Sequence, residues 1–225
     1  MSETIAPTTR RELSKADRRL RIVAAATSLL REKGVDGVSM LQIAERADVS
    51  PATVYNLFQT KAGVLQQVFD RDLRDYERLV EAAPARDALD RIFEAVDIAA
   101  GLYQADPGFY RAMAQVHRGP GPHPAIGEPR IGFWRRMAAA ARAEGRLAPE
   151  ADPHILGVTL SQILRGAFFE WAGGGLSAER LAAEASYGFA LVLLAHATGD
   201  AAAGLTQRVR RLEAALAGPR PDGCD

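Results

Sequence analysis

The sequence predicts an all-α protein that begins with a helix-turn-helix. Apolar residues recur at helical spacing along most of the chain, and no strand pattern interrupts the part after residue 61. Two capped helix starts, at Ser39 and Ser50, lie eleven residues apart. These observations predict an N-terminal three-helix domain that contains the helix-turn-helix, followed by a C-terminal helical domain.

The two capped starts define a short helix, a tight turn and a second short helix. Ser39 is followed three residues later by Gln42, which forms a capping box. Ser50 is the second candidate N-cap, and Pro51 at the first helical position loses no N–H that the helix needs. The space between the caps allows one short helix and a turn at residues 47–49, which is the pattern of a helix-turn-helix.

The second helix of this motif presents a small, uncharged surface. Its outward residues form hydrogen bonds without bringing acidic groups towards DNA, so they suit a major groove. Thr53 and Asn56 are hypothesised to approach base edges. The predicted DNA-binding residues are Ser39, Gln42, Ser50, Pro51, Ala52, Thr53, Tyr55, Asn56 and Lys61.

This stretch resembles the TetR-type (tetracycline-repressor-like) transcriptional regulators. The resemblance covers about a quarter of the chain and implies that Tyr55 and Lys61 hold phosphates. Leu57 departs from the family pattern, which often has His or Tyr at that position. The matching residues are Gly34-Val35-Asp36-Gly37-Val38-Ser39, Ile43-Ala44, Val49-Ser50, Thr53-Val54-Tyr55, Phe58 and Lys61.

The charge of the chain is unevenly distributed. Residues 10–61 contain ten basic and six acidic side chains, a net charge of +4, whereas the whole chain is formally neutral. A cluster of this kind often covers an ordinary solvated face. Next to a helix-turn-helix it indicates an electrostatic footprint for DNA.

Composition indicates a soluble protein of the reducing cytosol. No run of eighteen apolar residues exists and the N-terminus lacks the apolar core of a secretory signal, so we expect a cytoplasmic protein without membrane contact. The only cysteine, Cys224, excludes an internal disulfide. We expect a DNA-binding domain at residues 12–60 and a ligand-sensing, dimerising domain at residues 61–217.

Caps, prolines and glycines divide the second domain into further helices. Two of them, opening at Asp152-Pro153 and at Ser177, are apolar around nearly their whole circumference. A helix that is apolar on all sides is buried on all sides, and a second copy of the chain would supply the missing cover. The TetR-type resemblance likewise implies a homodimer. The other expected helices are 14–34, 60–81, 85–104, 106–117, 128–144 and 202–217.

The sequence contains no motif of a catalytic or metal site. The four histidines and the single cysteine lack metal-ligand spacing, and no nucleophile elbow, phosphate loop or dinucleotide motif is present. We therefore expect no enzymatic activity, no catalytic residue, no metal and no cofactor.

Aromatic and sulfur side chains concentrate in the middle of the second domain. Most of them would serve as core, but several could line a cavity for an apolar or aromatic ligand, with Gln162 and Arg165 among the polar residues that orient it. The predicted ligand-binding residues are Phe93, Asp97, Tyr103, Tyr110, Met113, His117, Phe133, Met137, Leu164 and Phe168.

The sequence therefore predicts a ligand-responsive regulator of transcription. Its expected partners are double-stranded operator DNA, a small-molecule effector and a second copy of the chain. Repression is expected, with release from a palindromic operator when an apolar or aromatic molecule binds. The alternative is a helical enzyme or carrier that binds an apolar small molecule without DNA, and the basic N-terminal module favours the regulator.

Overall fold

The computed structural model describes residues 10–118 and 127–218, and its regular elements there are all helices. The all-α prediction is confirmed for this part of the chain. The helices are α1 (Arg10–Lys33), α2 (Met40–Arg46), α3 (Pro51–Phe58), α4 (Lys61–Ala82), α5 (Ala88–Ala105), α6 (Pro107–Arg118), α7 (Gly127–Ala143), α8 (Pro153–Ala172), α9 (Ala178–Leu194) and α10 (Gly199–Leu216).

The N-terminal caps form as the local sequence predicts. The Ser39 hydroxyl accepts the Gln42 N–H at 3.2 Å, and the Gln42 side-chain oxygen accepts the Ser39 N–H at 3.0 Å, which completes the capping box. Ser50 accepts the Thr53 N–H at 3.2 Å. Asp48, with φ of 52°, occupies the left-handed region in the turn between α2 and α3.

Three helix starts differ from the sequence prediction. Helix α1 begins at Arg10 rather than near residue 14, and α10 begins at Gly199 rather than at residue 202. Helix α5 begins at Ala88 rather than at residue 85, because Asp87 accepts the Asp90 N–H at 2.7 Å and acts as the N-cap. The predicted loop at residues 118–124 lies almost wholly outside the described residues.

The N-terminal module joins the rest of the molecule through two helices. Helix α4 follows α3 directly, as the sequence predicts, and packs against α1. Helix α6 also packs against α1, where Arg31 near the end of α1 pairs with Asp106 at the start of α6. The Arg31 guanidinium also lies 5.3 Å from the ring centre of Phe109. This second connection was not predicted from the sequence.

Helices α8 and α9 are each buried on one side and partly exposed on the other. Leu181, Phe189 and Leu193 of α9 have no accessible surface and belong to the core. In contrast, Ile155 of α8 is 62% exposed and Leu191 of α9 is 44% exposed. The structure therefore leaves large apolar side chains uncovered on the two helices that the sequence assigns to an interface.

Within the described residues, no helix combines the length and apolar character that crossing a membrane requires.

Candidate DNA-binding surface and ligand cavity

Helix α3 presents the predicted groove-facing residues to the outside. Ser50, Pro51, Ala52 and Asn56 are exposed, as is half of the surface of Tyr55. Thr53 is only half-buried, and its hydroxyl lies 2.8 Å from the Ser50 hydroxyl. This face carries hydrogen-bonding groups and a small methyl but no charge, which allows close approach to base edges.

The other side of α3 is fixed by apolar contacts and by a cation. Val54 is fully buried and Phe58 is 7% exposed. The Arg19 guanidinium lies 4.9 Å from the Phe58 ring centre. Arg21 of α1 donates to the carbonyl oxygens of Ala47 and Asp48 at 3.0 and 3.5 Å, which connects α1 to the turn before α3. These contacts connect α3 and the turn before it to α1.

Besides Ser50 and Thr53, three more of the predicted DNA contacts already have partners in the protein. Ser39 and Gln42 bind each other in the capping box. The Lys61 ammonium group donates to the Val35 carbonyl at 2.9 Å and is half-buried. A phosphate contact by Lys61 would have to replace or share this bond, so its role in DNA binding remains a prediction.

The basic charge of the module is partly neutralised internally. Arg46 of α2 donates to both carboxylate oxygens of Glu32 at 2.7 and 2.8 Å, and to the Ser28 hydroxyl at 2.9 Å. The hydrogen bond from Arg46 is the main reason that the pKa of Glu32 falls to about 2. Arg46 therefore ties α2 to α1 and contributes less to a DNA-facing field than its formal charge suggests.

The second domain contains a cavity of about 120 Å³ that is open to one side. Helices α5 to α8 all contribute to it, and most of its surface is apolar. Its lining residues are Tyr103, Met113, His117, Gly127, Arg130, Ile131, Trp134, Ser161, Gln162, Leu164, Arg165, Phe168 and Phe169. An apolar hollow with a few polar groups is typical of a small-molecule site.

A smaller cavity of about 20 Å³ adjoins the first and extends towards α4. Tyr103, Arg130, Trp134 and Leu164 line both cavities. Asp72, Leu73 and Tyr76 of α4 line only the smaller cavity. The residues shared by the two cavities thus connect the ligand-sized space with the helix that follows the DNA-binding module.

A polar cluster around Asp72 lies at this junction. The Tyr110 hydroxyl donates to the Asp72 carboxylate at 2.9 Å, and an Arg130 nitrogen lies 4.0 Å from its other oxygen. Burial raises the pKa of Asp72, and the positive charge of Arg130 partly offsets this effect. Burial likewise raises the pKa of the Tyr103 phenol, so this hydroxyl keeps its proton at neutral pH.

Seven of the ten predicted ligand-binding residues line these cavities. Tyr103 is central, with ring centres of Tyr110 and Phe168 at 4.8 and 4.9 Å. Gln162 and Arg165, considered as polar orienting residues, also line the larger cavity. The seven residues are Tyr103, Tyr110, Met113, His117, Phe133, Leu164 and Phe168.

The other three predicted residues lie elsewhere. Phe93 faces α10, where the Arg208 guanidinium lies 3.9 Å from its ring centre. Asp97 is exposed, and Met137 is half-buried and lines neither cavity. The structure therefore does not bring these three side chains to the larger cavity. For the two residues of α5, the prediction failed because helical spacing alone does not indicate which side of α5 faces α10.

The sequence prediction omitted several lining residues, most importantly Arg130. A signal for it was present in the sequence, since Gly127, Arg130, Ile131 and Trp134 follow the i, i+3, i+4, i+7 spacing of one helical face. Ser161 and Phe169 were also omitted. Among the described residues, no group of three or more potential ligands forms a metal site.

Comparison with known proteins identifies the N-terminal module. Residues 22–68 match the family model described as bacterial regulatory proteins, tetR family. The HTH-type transcriptional repressor KstR of Rhodococcus jostii (strain RHA1) is 29% identical over 103 residues, which are 46% of this chain and 49% of KstR. The HTH-type transcriptional regulator YdeS of Bacillus subtilis (strain 168) is 50% identical over 48 residues, which are 21% of this chain and 24% of YdeS. The chain thus matches about half the length of KstR and about a quarter of YdeS.

A solved structure extends the similarity in fold to most of the chain. Thermus thermophilus FadR, a TetR-family repressor solved in complex with lauroyl-CoA, aligns with a TM-score of 0.67 at 22% identity. The alignment covers 80% of this chain and 96% of FadR. The arrangement of the second domain on the first is therefore shared with proteins of very different sequence.

Proposed function

We propose that the chain is a TetR-type transcriptional regulator, which represses transcription from a palindromic operator and is released by a small effector. The observation that carries the proposal is the exposed, uncharged outer face of α3, held in place by Arg21 and by the buried Val54. We assign DNA binding to residues 12–60 and effector sensing and dimerisation to residues 61–217. The TetR-type likeness also argues against the enzyme or carrier alternative.

A dimer would place two α3 helices in successive major grooves on one side of the DNA. The two-fold axis between the copies makes the operator a palindrome. Because the two helices enter successive major grooves, the half-sites lie about 34–36 Å apart. The exposed Ile155 and Leu191 support this assembly, because a partner's α8 and α9 would cover them. Together the four helices would form a bundle.

The larger cavity is the proposed effector site. Its apolar lining suits an apolar or aromatic molecule, and Tyr103, Trp134 and Phe168 would contact a ring or chain directly. KstR is named a repressor, and FadR was solved in complex with lauroyl-CoA, which supports a repressor that responds to small molecules.

Helix α4 is the proposed mechanical link. It contains 22 residues and is therefore about 33 Å long. Thr60 caps its start directly after α3, and Tyr76, further along it, lines the smaller cavity. An effector shifts the equilibrium only if it binds the DNA-free conformation more tightly, and operator DNA must weaken effector binding by the same factor.

Gel-shift experiments with the DNA upstream of the protein's own gene test the proposal. We expect binding that weakens steeply as salt rises, since lysine and arginine displace counterions from phosphates. Asn56→Ala on α3 should lose sequence preference, whereas Gln115→Ala on the exposed face of α6 should bind as the unchanged protein does. If the protein binds neither this DNA nor any fragment in a genomic selection, the result would support the alternative, an enzyme or carrier that does not bind DNA.

A further inference from the structure

We propose that the effector is a small aromatic acid whose carboxylate binds Arg130 while its ring contacts the aromatic wall of the larger cavity. The inference rests on the proposed function, since it assigns the chemistry of the effector for that same site. Arg130 lies in the first turn of α7 and borders both cavities.

The charge of the cavity favours an anion. Two arginines, Arg130 and Arg165, and one histidine, His117, line the larger cavity. Among the described residues, no aspartate or glutamate lines it. A carboxylate would add a counter-charge beside the two arginines, which a neutral ligand cannot supply.

Arg130 also has an unused hydrogen-bond donor. Its Nε is buried and has no hydrogen-bond partner among the described residues. Burying such a donor without a partner is unfavourable, and most buried polar groups in folded proteins are paired. If the guanidinium turns towards the cavity, a carboxylate in its plane can accept from Nε and a terminal nitrogen together.

The acidic group that the protein provides for Arg130 is poorly placed to compete. Asp72 lies 4.0 Å from a terminal nitrogen of Arg130, at the outer limit of an ion pair. One of its oxygens already accepts the Tyr110 hydroxyl at 2.9 Å. Because Asp72 belongs to α4, an acid that binds Arg130 would remove an attraction between α7 and the helix that leads to the DNA-binding module.

The volume of the cavity matches an acid with about one ring. Its volume of about 120 Å³ is close to the roughly 150 Å³ of an engineered protein cavity that binds benzene. The Trp134 and Phe168 rings line it and offer flat apolar surfaces. The expected ligand is therefore a benzoate or a phenyl-substituted short carboxylate.

Matched pairs of acid and amide test the inference on the unchanged protein. The probes are benzoate, phenylacetate and 3-phenylpropionate, each compared with its primary amide of nearly the same shape. We expect at least one acid to bind about tenfold or more tightly than its amide in calorimetry, the effect of one charge-assisted hydrogen bond. The same acid should weaken operator binding.

Two arginine variants locate the effect. Arg130→Gln should remove the difference between acid and amide while leaving the weak affinity for the amide unchanged. Arg135→Gln, on the exposed face of the same helix, should preserve the difference. If Arg130→Gln fails to fold, the comparison of acid and amide affinities on the unchanged protein still tests the inference.

Each contrary result is distinct from a failure of the proposed function. Equal affinity for acid and amide, or binding of none of the three acids, would overturn the inference. An equal loss of affinity for the acid in Arg130→Gln and Arg135→Gln would overturn it as well. The gel shift with upstream DNA is measured without any acid, so it would still support or reject the repressor independently.

Discussion

The close approach of α7 and α8 makes Gly157 a position where a single methyl group should be costly. A Cβ at Gly157 would lie 2.8 Å from the Arg135 backbone nitrogen and 3.0 Å from the Ile131 carbonyl oxygen. Both contacts are with helix backbone, which cannot rotate away as a side chain can. Gly157→Ala must therefore push the two helices apart.

The magnitude follows from a comparison with a glycine that has free space. Gly101 lies within α5, is exposed, and has no neighbouring atom within 4 Å of its added Cβ. In both positions alanine favours the helix by up to about 1 kcal/mol, so this gain cancels in the comparison. The difference in stability between the variants is then the overpacking cost, about 1–3 kcal/mol. For a chain of this size, each kcal/mol shifts Tm by about 2–4 °C.

Thermal unfolding of the two variants at equal concentration provides the measurement. Gly101→Ala should melt at or above the unchanged protein, and Gly157→Ala several degrees below Gly101→Ala. Since α7 and α8 both line the larger cavity, Gly157→Ala should also change its ligand affinity. A Gly157→Ala protein as stable as Gly101→Ala would refute the close packing on which this reasoning depends.

Three further outcomes are expected. Tyr55→Phe should weaken binding to all DNA sequences by about 1 kcal/mol, the value of one hydrogen bond. Asn56→Ala should instead change sequence preference. Gel shifts that show the two effects interchanged would overturn the assignment of Tyr55 to phosphate and Asn56 to base edges. Ile155→Glu should give monomers in sedimentation without loss of fold, because the side chain is 62% exposed, and a fully dimeric variant would place the interface elsewhere. The pKa of Glu32 is lowered from 4.5 to about 2, mainly by the Arg46 hydrogen bond. Its stabilisation is therefore complete above its ordinary pKa and is lost as pH falls towards 2, so the Tm advantage over Glu32→Gln should disappear over that range.

The sequence predicted the N-terminal module in detail because its structure depends on near neighbours. Ser39 and Gln42 are three residues apart, and so are Ser50 and Thr53, so each cap is specified within a single turn of chain. The same holds for the start of α8, where Asp152 accepts the His154 N–H at 2.7 Å. Such bonds join residues within one turn of each other, so the local sequence is enough to predict them.

The cavity depended on information that the local sequence does not contain. Arg130 meets Asp72 across 58 positions of chain, and Arg31 meets Asp106 across 75. A helix with apolar residues on several sides can turn any of them inward, which is why Phe93 was assigned to the cavity but faces Arg208 instead.

By itself, the sequence determined the helical class, the caps and the outward face of α3, since these follow from residue type and spacing within a few turns. Only the tertiary structure decided which side of α5 and α7 lines the cavity and that Arg130 lies beside Asp72. The physical reason is that helix faces are selected by the packing of all the helices together, and packing energy is shared among residues far apart in the chain.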